Sequence, residues 1–446
     1  MNSEEINQKP KIGLALSGGG YRAAAFHLGT MRKLNQLGAL DKIDVYSTVS
    51  GGSITGADYL LQLHENKDYE TFENNHIKKL KQSVIGSVLK STTFLFILVG
   101  VLCCIGLIIY LQFTSFYWIS IPVLIAGVWL IVSKQFRIFP VSDIIETIYN
   151  RIFFMGKKLS DLPDKPLIAI NSTNLETGRQ FTFSKKWMGD STYEYPENAS
   201  AALNFKPVKF KSEKFPVARS VMASSCVPFA FTPVKVATEY FENPDDAKKV
   251  KPVLVDGGVF DNQGVHKLTH KGNEYECKMV IVSDAGNKMP FEHSKGNLIT
   301  LLYRVCDLFM NRIKKFEMTD NIYHNVVLYK KELAYVSLGW DLEECIPGFV
   351  TNLRKGLVLP EVFEAHNIPM EYLEPFNDEK IRKYLEEKTG YNNILRMTEQ
   401  EKKIARDVGT NLTALPVEQI NALIKHAETM TELQVKLYCP HLQVLI

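Results

Sequence analysis

Charge is missing from a long internal stretch of this 446-residue chain: from Ser91 to Ser133 there is no Asp, Glu, Lys, Arg or His. Core helices of soluble proteins rarely run this long without charge. Cysteine is sparse, seven residues with no C-x-x-C pair, which excludes a disulfide framework or a zinc ribbon and points to a reducing compartment. A net charge of +3 is small for this length, so no nucleic-acid partner is expected. The opening Met1-Asn2-Ser3-Glu4-Glu5 is polar and acidic where a secretory leader needs a basic start and an apolar centre, and secretion is not expected. Clusters of metal-ligating residues are also missing, the chain from about Asp341 onward holds no repeat or low-complexity tract, and nothing in the sequence names a protein partner.

What is present suits a large folded protein. With 46% hydrophobic and 23% charged residues, the chain can bury one big α/β domain with appendages, or two domains. Its organising point is Ser47-Thr48-Val49-Ser50-Gly51-Gly52-Ser53, where an apolar run from Val45 to Val49 ends in a serine among glycines. Small residues there let a strand reverse tightly into a helix, which holds Ser50 strained and exposed at a sheet edge. This is the pattern of a nucleophile elbow, G-x-S-x-G, with Thr48 in place of the first glycine and Gly52 as the last. A Ser/Gly-rich turn without chemistry would read the same way in isolation.

Two further stretches bear on it. Lys11 to Leu16 reads as a buried strand, followed by Ser17-Gly18-Gly19-Gly20-Tyr21-Arg22 and a helical run from Ala23 to Leu37. Consecutive glycines at a strand-to-helix junction expose amides beside the positive end of a helix dipole, a place that holds anions. Downstream, the apolar strand Pro252 to Val255 ends in Asp256-Gly257-Gly258, which puts a carboxylate at a strand end, where sites of open α/β sheets gather.

The set resembles the patatin-like phospholipases, lipid acyl hydrolases that also resemble the catalytic domain of cytosolic phospholipases. The resemblance rests on Gly18-Gly19-Gly20-Tyr21-Arg22-Ala23, Val49-Ser50-Gly51-Gly52-Ser53 and Asp256-Gly257-Gly258, with support from Asn171 to Gly178 and from Ala223-Ser224-Ser225-Cys226-Val227-Pro228-Phe229. Order and spacing fit from about Lys11 to about Leu338. Thr48 and Ala23 each replace a glycine of the family pattern, and neither removes a reacting group. The resemblance implies a three-layer α/β/α fold with a mostly parallel central sheet and a Ser50–Asp256 dyad with no histidine between them. It also implies an oxyanion hole at Gly18, Gly19 and Gly20, with the amides of Gly19 and Gly20 as its donors, and with Gly52, Gly257 and Gly258 shaping the elbow and the base motif. Arg22 would orient a substrate phosphate or support the glycine loop, with a surface salt bridge as the alternative. The substrate would be a membrane lipid, and no metal or cofactor would be needed.

Rival chemistries remain open at this stage. His266 follows Asp256 by ten residues and His27 follows the glycine loop, so a Ser-His-Asp triad is conceivable. The glycines also suit a nucleotide loop, although the Gly-Lys-Ser/Thr ending of a P-loop is missing. A membrane-tethered scaffold or lipid-binding protein that has lost turnover is the non-enzyme alternative.

The uncharged run splits into two apolar blocks, Thr92 to Leu111 and Phe116 to Val132, each near the ~20 residues needed to span a bilayer. They read as a two-helix membrane hairpin whose connection carries an aromatic belt of Tyr110, Phe113, Phe116, Tyr117 and Trp118. Lys78, Lys79, Lys81 and Lys90 precede it, and Lys134 and Arg137 follow, with no acidic residue between Glu73 and Asp143. The positive-inside rule then places both ends and the catalytic domain in the cytoplasm, as a multi-pass protein. A buried core pair or a half-inserted hairpin are the alternatives. In this orientation the sequons at Asn171, Asn198 and Asn411 would never be glycosylated.

The expected organisation is therefore residues 11–90 and 134–340 as the two parts of the catalytic domain, interrupted by the hairpin at 91–133 (helices 92–111 and 116–132). Residues 341–446 follow as a helical C-terminal extension. Further helices are expected over 67–90, 141–154, 216–224, 295–318, 379–388, 398–406 and 416–429. Strands are expected over 165–170, 180–183, 278–284 and 324–338, with 194–214 as a loop that either forms a rim or lid over the site or only connects its neighbours.

Overall fold

The structure, a computed structural model, describes residues 11–196, 206–289, 296–320, 326 and 328–444. Two βα units open it: β1 (Ile12–Leu16), α1 (Gly20–Gln36), β2 (Val45–Val49) and α2 (Gly51–His64). The expected helix over 67–90 is two, α3 (Tyr69–Leu80) and α4 (Val84–Leu89), because Ser83 stops one and caps the next through the Gly86 amide at 2.8 Å. The apolar blocks form α5 (Thr92–Gln112) and α6 (Ser120–Ile138), and α7 (Val141–Tyr149) then passes into a wide turn at Asn150–Phe154. The chain returns as β3 (Leu167–Asn174), β4 (Arg179–Phe183) and β5 (Met188–Gly189), followed by α8 (Val217–Ser224), β6 (Val234–Lys235), β7 (Val253–Asp256) and β8 (Met279–Asp284). Next come α9 (Leu298–Asp320), β9 (Glu332–Ser337), α10 (Cys345–Arg354), α11 (Asp378–Thr389), α12 (Glu399–Asp407) and α13 (Val417–Tyr438). Parts of three expectations, residues 197–205 with Asn198, residue 295, and residues 324, 325 and 327, lie outside the described residues.

One mixed sheet runs β5-β4-β3-β2-β1-β8-β9. Strands β3, β2, β1, β8 and β9 are parallel, while β4, β5, β6 and β7 form an antiparallel margin on β3. Every residue of β1, β2 and β8 is buried, as parallel strands covered on both faces require. Helices α1 and α2 pack together against the sheet, and the segment after Asp256 covers the other face, where a Cβ on Gly13 would meet Leu268 and Cys277 at 2.9 Å. The fold is an α/β architecture with a mostly parallel sheet and a helical extension.

That extension is built into the core. Helix α13 packs along α1 so closely that a Cβ on Gly29 would lie 2.1 Å from the Ile424 carbonyl oxygen, and Ile420, Leu423, Ala427 and Met430 are buried. Arg32 pairs with Glu428 at 3.2 Å and Lys33 with Glu432 at 3.0 Å along the same seam.

Helices α5 and α6 behave differently. No residue of α5 is buried, although it is apolar along its length, and its 21 residues make a rod of about 30 Å. Gln112 closes the tip by donating to the Ser120 hydroxyl at 2.6 Å, and Tyr110, Phe113, Phe116, Tyr117 and Trp118 are all exposed there. Both helices are long and apolar enough to cross a membrane.

Candidate active site

The elbow is a single residue. Ser50 has φ 49° and ψ −117° between the last residue of β2 and the first turn of α2, a left-handed setting that costs a side-chain-bearing residue about 1–2 kcal/mol. Close approach enforces it: a Cβ on Gly52 would sit 2.2 Å from the Leu16 carbonyl oxygen, and one on Gly51 would sit 2.1 Å from that of Gly20. Thr48, where the family pattern has glycine, fits because its hydroxyl donates to the Ala169 carbonyl at 3.3 Å and accepts from Ser53 at 3.0 Å.

Asp256 ends β7 and is brought to the elbow because β7 pairs antiparallel with β3, whose other neighbour is β2. Its carboxylate accepts from the Gly258 amide at 2.7 Å and lines the same cleft as Ser50, whose hydroxyl favours its ionised form. Burial raises its pKa to about 7, against the lowering effect of those two groups. Gly257 and Gly258 permit the approach: a Cβ on Gly257 would meet the Asn171 carbonyl oxygen at 2.4 Å, and one on Gly258 would meet Asn262 Oδ1 at 2.6 Å.

The glycine loop faces the pair. Gly18 lies against Ser50, but its amide donates to the Asn262 carbonyl at 2.9 Å, so Gly18, grouped with the oxyanion glycines from sequence, offers no free donor. Gly19 and Gly20 adopt φ 143° and 60°, and among the described residues their amides have no hydrogen-bond partner. Arg22 lies beneath Gly19 and lines the cleft. One guanidinium nitrogen donates to the Val408 carbonyl at 3.3 Å, while its Nε is buried without a partner among the described residues. Burial lowers the Arg22 pKa and the nearby Asp284 partly restores it, so the surface salt bridge considered from sequence is not what this side chain makes.

Around these groups opens a cleft of about 240 Å³. Helix α9 forms one wall with Asp307, Met310, Asn311 and Lys314, and Val227 belongs to the loop opposite. Lys314 pairs with Asp284, the acid at the end of β8, at 2.7 Å. No histidine lines the cleft among the described residues. His27 is held between the Ser283 hydroxyl at 2.8 Å and the Ser17 carbonyl at 2.9 Å, and burial pushes its pKa down to about 4. His266 stacks on His270 and meets Phe260 edge-on. Neither histidine is placed to serve Ser50.

Three supports escaped the sequence reading. Ser224, at the end of α8, accepts the Ser50 amide at 2.9 Å, shares a hydrogen bond with Ser53 at 2.9 Å and donates to the Asn171 carbonyl at 2.6 Å, which locks the elbow. The stretch around it stood out, but no local pattern assigns it a role. Asn262 anchors the glycine loop through its carbonyl, a backbone contact that carries no side-chain signature. A strap between α12 and α13 crosses the mouth: Thr410 lines the cleft, Val408 accepts from Arg22, and Asn411 accepts the Tyr21 amide at 2.9 Å. Asn171 is fully buried and donates to the Ser47 hydroxyl at 3.0 Å, so its sequon is sterically closed as well.

Residues 14–269 match the family described as Patatin-like phospholipase, more than half of the chain, and the protein belongs to that family. Among solved structures, human GIVD cytosolic phospholipase A2 in complex with methyl gamma-linolenyl fluorophosphonate is similar over 100% of this chain and 59% of its own, at 14% identity and a TM-score of 0.47. The same human enzyme without that inhibitor gives 100% and 60%, 13% and 0.42. VipD from Legionella pneumophila gives 98% and 87%, 11% and 0.32. The chain thus spans about three fifths of the length of the human structures just compared. No curated protein matches it in sequence.

Proposed function

We propose that this protein is a membrane-anchored lipid acyl hydrolase of phospholipase or lysophospholipase type, working through a Ser50–Asp256 dyad. The observation that carries the reading is the meeting of Ser50 and the buried Asp256 carboxylate in one cleft, beside a glycine loop with two amides unengaged among the described residues. A carboxylate near its usual pKa is a feeble base for an alcohol. Lifted to about 7 by burial, Asp256 is poised near neutral pH, where general-base catalysis works best. Ser50 Oγ attacks the ester carbonyl carbon as its proton passes to Asp256, and the amides of Gly19 and Gly20 take the oxyanion, roughly 10²–10³ in rate per donor. Collapse expels the alcohol, which takes the proton back. Water, activated by the same carboxylate, then cleaves the acyl-serine and restores the dyad.

Arg22, buried with a spare donor and facing the cleft, suits the phosphate of a phospholipid. Helices α5 and α6, inserted at residues 91–133, anchor the enzyme beside its insoluble substrate, and the cations at both of their ends favour a cytoplasmic catalytic domain. Residues 11–90 and 134–340 supply the catalytic groups, and 341–446 complete the cleft.

The test is fluorophosphonate labelling of the full-length protein in membranes, followed by lipid extraction after incubation. Label on Ser50, and free fatty acid released by the wild type but not by Ser50→Ala, are expected. Full release by Ser50→Ala would overturn the reading.

A further inference from the structure

Both rims of the cleft expose apolar surface. Helix α9 turns Asp307, Met310, Asn311 and Lys314 inward, residues spaced three, four and seven apart and so on one face. Its opposite face carries Leu298, Leu301, Leu308, Phe309 and Phe316, exposed by 70, 49, 52, 61 and 69%. A helix on a water-soluble surface has the reverse pattern, apolar side inward and polar side out. On the other rim, Phe229 is 68% exposed and sits at φ 68°, a left-handed conformation that costs an aromatic residue about 1–2 kcal/mol. Nothing is recovered by packing that ring. It is displayed by its loop, which the Phe231 amide closes onto the Val227 carbonyl at 3.1 Å.

The Phe229 loop is joined to the membrane hairpin. Thr232 donates to the carbonyl of Phe139, the residue after α6, at 2.9 Å, and Ser142 donates back to the Thr232 carbonyl at 2.5 Å. The same loop begins at Ser224, which holds the Ser50 amide. The base of the hairpin, an exposed aromatic ring, the cleft wall at Val227 and the elbow therefore follow one another through a single short segment.

We propose that the mouth of the cleft is a second bilayer-contact surface, with Phe229 on one rim and the outward face of α9 on the other entering the interfacial region of the leaflet that holds the hairpin. The surface is continuous with the hairpin through Thr232 and Phe139. Exposed Arg312 lies within the apolar stripe of α9, four residues from both Leu308 and Phe316, and exposed Lys315 lies at its edge, long cationic side chains that reach from an apolar face to anionic head groups. A lipid then passes sideways from the leaflet to Ser50 without its acyl chain crossing water, and the enzyme acts on lipids of its own leaflet. This inference rests on the membrane-anchor reading above and adds an orientation to it.

The experiment places nitroxide labels on single cysteines in the full-length chain, with Cys103, Cys104 and Cys306 replaced by alanine, in nanodiscs of phosphatidylcholine and phosphatidylglycerol. Phe229→Cys and Phe309→Cys report on the two rims. Leu107→Cys in α5 is the bilayer reference, and Lys248→Cys on an exposed surface is the water reference. Ala230→Cys and Leu301→Cys replace either rim variant if it misfolds. Both rims are expected to match position 107, with collision by oxygen favoured several-fold over collision by a nickel chelate relative to position 248. If 107 is lipid-like while both rims are water-like, the contact surface is refuted and the anchor stands. If 107 is itself water-like, the anchor fails and the inference falls with it. Spin–spin broadening at 309 between two copies in one disc would show that a second copy covers α9, and would also overturn the proposal.

Discussion

The amide of Tyr21, in the first turn of α1, donates to the carbonyl of Asn411 at 2.9 Å, and the next carbonyl along the strap, that of Leu412, accepts the amide of Val84 at 3.0 Å. Adjacent peptide units of the C-terminal extension thus hold the glycine loop with one carbonyl and the helix leading into the apolar hairpin with the other. The Asn411 side chain shapes this strap, accepting from the Thr413 amide at 3.0 Å and from its hydroxyl at 2.6 Å. Asn411→Ala is expected to lower kcat several-fold while costing about 1 kcal/mol of stability, since the loop loses its brace and the core does not. Steady-state kinetics beside thermal unfolding check this, and an unchanged kcat would separate the strap from the site.

Activity should follow the titration of Asp256. The base must be ionised to take the Ser50 proton, so kcat/KM is expected to rise as pH increases through about 7 and to level off above it. A pH profile with a short-chain ester, free of membrane effects, gives the midpoint. A midpoint near 4 would mean that burial does not raise this carboxyl.

The same group has an opposite signature in stability. Its folded pKa of about 7 lies above the ordinary 3.8, so the folded state holds the proton more tightly. Below about pH 4 both states are protonated and there is no cost; between about 4 and 7 stability falls, and above 7 the full cost remains, roughly 4 kcal/mol at most. Asp256→Asn should therefore abolish turnover yet unfold at a higher temperature than wild type at pH 8, with the gap closing near pH 4. Equal Tm values at pH 8 would contradict the linkage.

Ser224→Ala removes the acceptor of the Ser50 amide and the hydroxyl bridge from Ser53 to the Asn171 carbonyl. A loss of about 1–3 kcal/mol and slower fluorophosphonate labelling of Ser50 are expected, because buried partners are left unsatisfied. Gly52→Ala should be far worse: its Cβ would meet the Leu16 carbonyl oxygen at 2.2 Å, and backbone cannot swing aside as a side-chain tip can. Little folded protein is expected from it, which the soluble and membrane fractions of an expression culture reveal.

Membrane retention should depend on α5. Leu107→Arg puts a charge in the middle of an apolar span, at about 2.5–3.5 kcal/mol, and paired with Ile125→Arg in α6 it is expected to release the protein on alkaline carbonate extraction. Release of the wild type under the same treatment would argue against insertion.

Much of the architecture was legible because it is written locally. The β2 boundaries, the two βα units and the apolar hairpin follow from runs of a single character ended by glycine or by charge. Places where reading failed have a common cause. Helix 67–90 breaks at Ser83 because a side-chain cap outweighs mild helical periodicity. Gly18 was grouped with the oxyanion glycines, yet it spends its amide on a carbonyl 244 residues away in the chain, at Asn262. His27 and His266 were read as structural more readily than as triad members, and their partners, Ser283 and Ser17 for one and the His270 ring for the other, show what holds them.

By itself the sequence determined the chemical inventory: a serine at a glycine-flanked turn, an acid at a strand end, an amide-rich loop and an uncharged pair of helices, each set by side-chain type and short-range spacing. Tertiary structure alone decided which amides stay free, how far burial lifts the Asp256 pKa, and that the C-terminal strap closes over the cleft. Those outcomes depend on main-chain contacts and on exclusion of water across hundreds of residues, and neither leaves a trace in the order of side chains.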